Sequence, residues 1–284
     1  MKLINQSFEI LEQKDFTITG IKKFIERCGR VCYKSEDRIT DDSYEKFVNM
    51  LESRGHDRPL EFGTVHLQMY ISDFHKLRDT LCINNMWNDQ WIKYHYAGNL
   101  TYVTTNYRYY LAIIKVFPSA EKDFVPQDDE LYPKRYTVHF ITSRGIMDEF
   151  RTHVGLSHLA ESSRYCSYDK NRFGNELTFI IPNWVNTNCP NKEQEGLSVA
   201  SIEWSTAMLD AEASYINLIK MGCTAQEARE VLPLSIKSEL ISCGFEDAWS
   251  NFFYRRCAKD AHPMAREIAT KVRDKFKELN YVNQ

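Results

Sequence analysis

The sequence predicts a single domain of mixed helix and strand. Two kinds of periodicity carry that reading. Apolar residues recur at helical spacing near both ends, as Ile21, Phe24, Ile25, Cys28, Val31 and Cys32, and as Met264, Ile268, Val272 and Phe276. They alternate with a period of two at Val65, Leu67, Met69 and Ile71, and again at Tyr136, Val138 and Phe140, as half-buried strands do. No repeat, low-complexity tract or linker interrupts the 284 residues, so the chain reads as one domain over residues 1–284.

Composition narrows the function classes. A net charge of -3 leaves no basic excess for a nucleic acid polymer, although a free nucleotide needs only a local cluster. The apolar pattern at the N-terminus breaks too early for a signal peptide, and no apolar run is long enough to span a bilayer, so a cytoplasmic protein without a membrane partner is expected. Eight cysteines are scattered without a Cys-x-x-Cys pair, which signals neither zinc nor a redox motif; they read as mostly buried, reduced thiols.

Taken in order, the helix over residues 20–32 is followed by a second, capped by Thr40 or Asp41. It buries Tyr44, Phe47, Val48 and Leu51 and stops at Gly55. A polar turn over residues 55–62 leads into the strand at 64–71. Residues 73–116 read as helical and rich in aromatics, and 117–134 as an acidic excursion or lid. A strand over 136–142 runs into a polar stretch, and a short strand at 177–181 closes on Pro182. A long helix over 201–221 stops at Gly222, and the capping box Thr224-Ala-Gln-Glu227 starts a short helix that must end before Pro233, with Arg229 in its middle. Residues 235–242 fit strand or helix equally well. Helices are expected over 246–258 and from His262-Pro263 onward.

The chemistry concentrates in residues 150–168, where Arg151, His153, Glu161, Ser162, Ser163 and Arg164 follow one another closely. Two serines and an arginine offer hydroxyls and a planar fork of donors to a phosphate, and an exposed helix end with solvated charges would look the same. Two further arginines lie on apolar segments, Arg229 in Glu227-Ala-Arg-Glu-Val-Leu-Pro233 and Arg256 in Phe252-Phe-Tyr-Arg-Arg256. Each needs either a carboxylate partner such as Glu227, Glu230 or Glu239, or an anionic ligand. His153 and His158 are five apart and do not share a helical face, so no metal site is expected. Neither a glycine-rich phosphate loop nor a Gly-x-Ser-x-Gly elbow occurs.

Several of these segments together resemble the flavin-dependent thymidylate synthases (the ThyX family). They are Ile141-Thr-Ser-Arg-Gly145 through Glu161-Ser-Ser-Arg-Tyr-Cys166, Asn171-Arg-Phe-Gly-Asn175, Glu227-Ala-Arg-Glu-Val-Leu-Pro-Leu234, Trp249 with Phe252, Phe253 and Arg256, and Ala261-His-Pro263. Upstream, Arg30-Val-Cys-Tyr-Lys-Ser35, Gly55-His56 and Glu61 add to them, in the expected order. The resemblance implies an α+β, ThyX-like fold with a central, mostly antiparallel sheet flanked by helices, a helical lobe, and a homotetramer whose sites are shared between chains. It implies reductive C5 methylation of dUMP to dTMP, using methylenetetrahydrofolate, FAD and NADPH. Ser162, Ser163 and Arg164 would hold the nucleotide phosphate, Arg229 and Arg256 would bind and polarise the uracil, and His153, Glu161 and Glu61 would lie toward the cofactor. Arg229, Arg256 and His153 are the catalytic candidates.

The departures are concentrated in one place. Where the family signature reads Arg-His-Arg, this chain has Thr152, His153 and Val154; Phe62 replaces a histidine, and Phe245, Glu246 and Asp247 replace an Asn-x-Arg. These changes fall mostly on the flavin side. The alternatives are a divergent paralogue that modifies another pyrimidine nucleotide or installs a different C5 group, and a non-catalytic nucleotide-binding homologue.

Overall fold

In the computed structural model, residues 1–162, 176–185 and 198–281 are described, and they build two four-stranded sheets and one short parallel ladder. The chain starts with β1 (Lys2–Ile4) and β2 (Ser7–Leu11), then enters α1 (Ile18–Tyr33), where the Thr17 hydroxyl accepts from Gly20 N at 3.1 Å as an N-cap. The predicted stripe of α1 is buried at Ile21, Phe24, Ile25, Cys28 and Val31. Lys34 closes the helix in the left-handed region, at φ 47, a conformation that non-glycine residues rarely adopt. Helix α2 (Ser43–Ser53) buries Phe47, Val48 and Leu51 of its expected face, whereas Tyr44 is half-buried and Asp42, rather than Thr40 or Asp41, stands at the N-cap.

Strand β3 (Thr64–Tyr70) also lies where its alternation places it. The segment after it does not form the expected continuous helical stretch. It folds as α3 (Ile71–Ile83), a hairpin of β4 (Ile92–Ala97) and β5 (Leu100–Asn106), and α4 (Tyr107–Val116). The physical reason is local: residues 100–105 are dominated by β-branched and aromatic side chains, and Gly98 at φ 58 opens the two-residue turn that pairs Ala97 with Leu100. The aromatics that suggested a helix pack across elements instead, with Phe74 of α3 at 4.5 Å from Tyr94 and 5.9 Å from Tyr96. Within the expected acidic excursion, β6 (Phe124–Val125) adds to the edge of β3, giving the order β4-β5-β3-β6.

The second sheet has the order β2-β7-β10-β8, antiparallel throughout, from β7 (Arg135–Ser143), β8 (Ser157–Ala160) and β10 (Lys237–Phe245). Between β7 and β8 lies α5 (Arg144–Phe150), and β9 (Thr178–Ile180) pairs in parallel with β1. Helices α6 (Val199–Lys220), α7 (Ala225–Ala228), α8 (Glu246–Arg256) and α9 (Pro263–Glu278) complete the chain. The capping box of α7 is present as its sequence requires, but Arg229 stands at the end of that helix, where a 3₁₀ turn over Arg229–Val231 begins. The ambiguous segment at 235–242 is resolved as β10, the most buried strand of its sheet. One face of this sheet packs Phe140, Phe150, Trp249, Phe252 and Phe276 into a core, each worth about 1.5–3 kcal/mol on burial. The Trp249 indole N–H, buried among them, donates to the Tyr136 carbonyl at 3.0 Å. Antiparallel sheets flanked by helices make the protein α+β.

Candidate active site

Strand β10 is the spine of the polar cluster. Lys237 and Glu239 stand two apart, so both point to one face, and His139 of the neighbouring β7 joins them there. The Glu239 carboxylate accepts from His139 Nε2 at 2.8 Å and from Lys34 Nζ at 2.5 Å, and it also accepts from Lys237. Lys237 Nζ donates in addition to Glu161 Oε2 at 3.0 Å. Backbone bonds hold the last member in place: Glu161 N donates to the Glu239 carbonyl at 2.8 Å and Ser162 N to the Cys32 carbonyl at 3.1 Å. The left-handed end of α1 thus brings Lys34 and Ser162 to the same place.

Burial alone would raise the Glu239 carboxyl, but the His139 hydrogen bond and the charges of Lys237 and Lys34 outweigh it and hold the group well below the ordinary carboxylate range. Burial would likewise lower the Lys34 ammonium, and Glu239 and Glu161 raise it instead. Glu161 is buried, and its Oε1 has no hydrogen-bond partner among the described residues. An unpartnered buried carboxylate oxygen is costly and invites a donor from outside the chain. It lies beside a cleft of about 190 Å³ lined by Arg144, Glu161, Arg229, Glu230, Lys237 and Ser238 among others. Arg229 Nε is 3.4 Å from Glu230 at the rim. Of the sequence candidates, Glu161, Ser162 and Arg229 therefore come together. Ser163 and Arg164 lie outside the described residues, as do Asn171–Asn175.

Lys237, His139 and Arg144 were not among the candidates. Their signal was the i, i+2 charge pair at Lys237 and Glu239, which reads as one-sided only once residues 237–245 are known to be a strand.

Arg256 and His153 form a second cluster. Arg256 Nε donates to His153 Nε2 at 2.7 Å, Nη1 to the Glu149 carboxylate at 2.8 Å, and Nη2 to the Glu149 carbonyl at 2.7 Å. These bonds use three of the five guanidinium N–H groups and leave two. His153 is buried, its carbonyl accepts from His158 Nε2 at 3.2 Å, and His158 Nδ1 accepts from the Ser242 hydroxyl at 2.9 Å. The cluster is therefore anchored at Ser242, five residues along β10 from Lys237, a distance of about 17 Å for an extended strand. Arg256 is not among the residues that line the Arg229 cleft.

Burial, helped for His153 by the charge of Arg256, lowers the pKa of His153 to about 4, and burial lowers that of His158 to about 4 and of His66 to about 4. All three are neutral in the folded protein at pH 7. Because their folded values lie below the usual 6.5, acidification favours the unfolded chain, which takes up protons first. The urea midpoint is expected to be level above pH 6.5 and to fall progressively as pH drops from 6.5 towards 4. Replacing His158 by glutamine should flatten that fall, and an unchanged profile would contradict this account.

The flavin that the resemblance implies does not fit the signature segment. The Thr152 hydroxyl donates to the Glu149 carbonyl at 2.8 Å, Val154 is 71% exposed, and Arg151 is turned to Asp148, with Nε at 3.2 Å. No cation stands at either signature position, and the His153 Nε2 is already occupied by Arg256. Glu61 is also committed: its two oxygens accept from Arg108 and from Ser157, both at 2.6 Å. Phe62 is fully buried in the core, and Asp247 pairs at the surface with Lys93 at 2.6 Å.

An antiparallel sheet carrying a buried acid-base cluster at its strand ends, beside an arginine-rimmed cleft, defines an α+β protein equipped for an anionic, hydrogen-bonding ligand. The chain belongs to the family of thymidylate synthase complementing proteins, whose family model matches residues 134–280, just over half of the sequence. This is the ThyX family, and membership makes the chain a thymidylate synthase-type protein, of the methyltransferase kind, with a nucleotide as its class of substrate. No curated protein matches the chain. Among the described residues no helix is long and apolar enough to cross a membrane.

Proposed function

We propose that this chain methylates a uracil nucleotide at C5, converting dUMP to dTMP with methylenetetrahydrofolate as the carbon donor. The observation that supports it best is the cleft that Glu161 and Arg229 line together, beside Ser162. Uracil offers an N–H donor and carbonyl acceptors on one edge, which complements a carboxylate and a guanidinium. As the base gains negative charge in the transition state, Arg229 stabilises it electrostatically, and Lys237 holds Glu161 in place. Ser162, with Ser163 and Arg164, holds the phosphate.

Arg256 and His153 do not line that cleft, and in this reading another copy of the chain brings them to the same nucleotide. The family resemblance is what suggests a homotetramer with shared sites, working in the cytoplasm. The resemblance draws the two electrons for the methyl group from NADPH through FAD. Because residues 152–154 do not fit FAD, that part of the reading stands on its own measurement.

Two experiments test the proposal. Release of tritium from [5-³H]dUMP, dependent on methylenetetrahydrofolate, is expected from the purified protein; its absence under every reductant tried would overturn the reaction. The visible spectrum with and without added FAD then decides the flavin. The misfit at Thr152 and Val154 favours a second reading, a paralogue with a different nucleotide or C5 group, or one that only binds. Product mass spectrometry across dUMP, UMP and dCMP separates these, and dTMP formed from dUMP alone would exclude them.

A further inference from the structure

A second cleft, of about 430 Å³, lies on the first sheet between the loop after α3 and helix α4. It is built almost wholly from residues upstream of the family match, and the nucleotide reaction does not use it. Trp87, Trp91, Tyr109 and Met86 supply its apolar lining, and Asn106, Arg108 and Glu61 its polar side. The aromatic walls are held by fixed bonds. The Trp87 indole N–H donates to Asp89 at 3.1 Å, the Tyr109 hydroxyl donates to the Met86 carbonyl, and Trp91 packs on Tyr109 with ring centres 5.6 Å apart. Burial pushes the Tyr109 phenol up to about 12, so it stays neutral.

Asn106 supplies the second observation. The residue is only 2% exposed, and its side-chain oxygen caps α4 by accepting from Tyr109 N at 2.8 Å. That bond fixes the orientation of the amide and leaves its NH₂ as a donor. No hydrogen bond among the described residues uses this donor, on a side chain that lines the cleft. A donor without a protein partner, on a nearly buried side chain in a cleft walled by two tryptophans, has the chemistry of a site for a flat ring bearing a carbonyl. The volume is within the range of small-molecule sites. The polar side carries Arg108 already paired with Glu61 at 2.6 Å and with Asp57 at 3.6 Å, so its charge is neutralised and a neutral ligand is favoured over an anion.

We propose that this cleft binds a neutral, planar heterocycle, its ring against Trp87 and Trp91 and a ring carbonyl accepting from the Asn106 amide. The proposal goes beyond the uracil nucleotide reaction and does not depend on it. Calorimetric titration of the full-length protein with pterin, lumichrome and uridine tests it, and the three arms identify which ring chemistry is preferred. At least one is expected to bind, with affinity reduced tenfold or more in both Trp87→Ala and Asn106→Asp. Aspartate keeps the oxygen that caps α4 and removes the donor, so Asn106→Asp carries the test if circular dichroism finds Trp87→Ala misfolded. Failure of all three to bind at about 1 mM, the weak end of specific affinity, would overturn the proposal. So would binding unchanged in Asn106→Asp. Tritium release from dUMP is measured on the same samples, so loss of one reading is distinguishable from loss of the other.

Discussion

Replacing Arg229 by alanine is expected to lower dUMP-dependent tritium release by about 100-fold or more, the loss usual when one preorganised donor to a developing negative charge is removed. Arg229 reaches the Glu161 cleft from the 3₁₀ turn after α7, and its side chain is a third exposed, so the substitution leaves no cavity in the core. The thermal midpoint should therefore move little while turnover collapses. Lysine at this position should recover only part of the rate, since an ammonium keeps the charge but not the planar fork. Full activity in Arg229→Ala, at saturating dUMP, would remove Arg229 from the reaction and with it the proposed arrangement of the cleft.

Replacing Lys237 by methionine is expected to destabilise the protein by about 3 kcal/mol, because it withdraws a partly buried cation from two buried carboxylates. Lys237 is the shared partner of Glu161 and Glu239, whose side chains are 1% and 7% exposed. Lys34 and His139 remain paired with Glu239, whereas Glu161 loses its direct hydrogen-bonded cation and keeps only the longer-range charge of Lys34. The sign with pH follows from Glu239. Its folded carboxyl lies below the usual 4.5, so its stabilising effect is present above that value and is lost as pH falls through the folded one. The gap between wild type and Lys237→Met in urea melts should be full at pH 7 and narrow below pH 4.5. A gap that is small at pH 7, or indifferent to acid, would show that the cluster is not held by these charges. Lys237→Arg, which keeps the cation, should lie close to wild type.

Much of the fold was legible because its signals were local. The stripes of α1 and α9 and the capping box Thr224–Glu227 each depend on residues within a few turns of one another, and each is present. The hairpin over residues 92–106 was missed because its tyrosines satisfy a helical pattern as readily as a strand pattern. The decisive signals, Gly98 at the turn and the β-branched run after it, were outweighed by the count of aromatics. Strand β10 was ambiguous for another reason: it is buried on both faces, yet Lys237, Ser238, Glu239 and Ser242 interrupt its apolar residues, so neither a period of two nor a helical stripe stands out.

For the site, the division falls between chemical identity and company. By itself the sequence determined which residue types are available, Glu161, Ser162, Arg229, Arg256 and His153, and that two signature arginines are absent at Thr152 and Val154. Only the tertiary structure decided that Lys34, His139 and Lys237 converge on Glu239 and Glu161, that Arg256 is committed to Glu149 and His153, and that Asn106 is left with a donor facing a tryptophan-lined cleft. The physical reason is the range of the forces. Helix and turn preferences act over a few residues and leave their record in sequence, whereas ion pairs and hydrogen bonds act through space, between Lys34 and Glu239 across 205 positions and between Arg256 and His153 across 103.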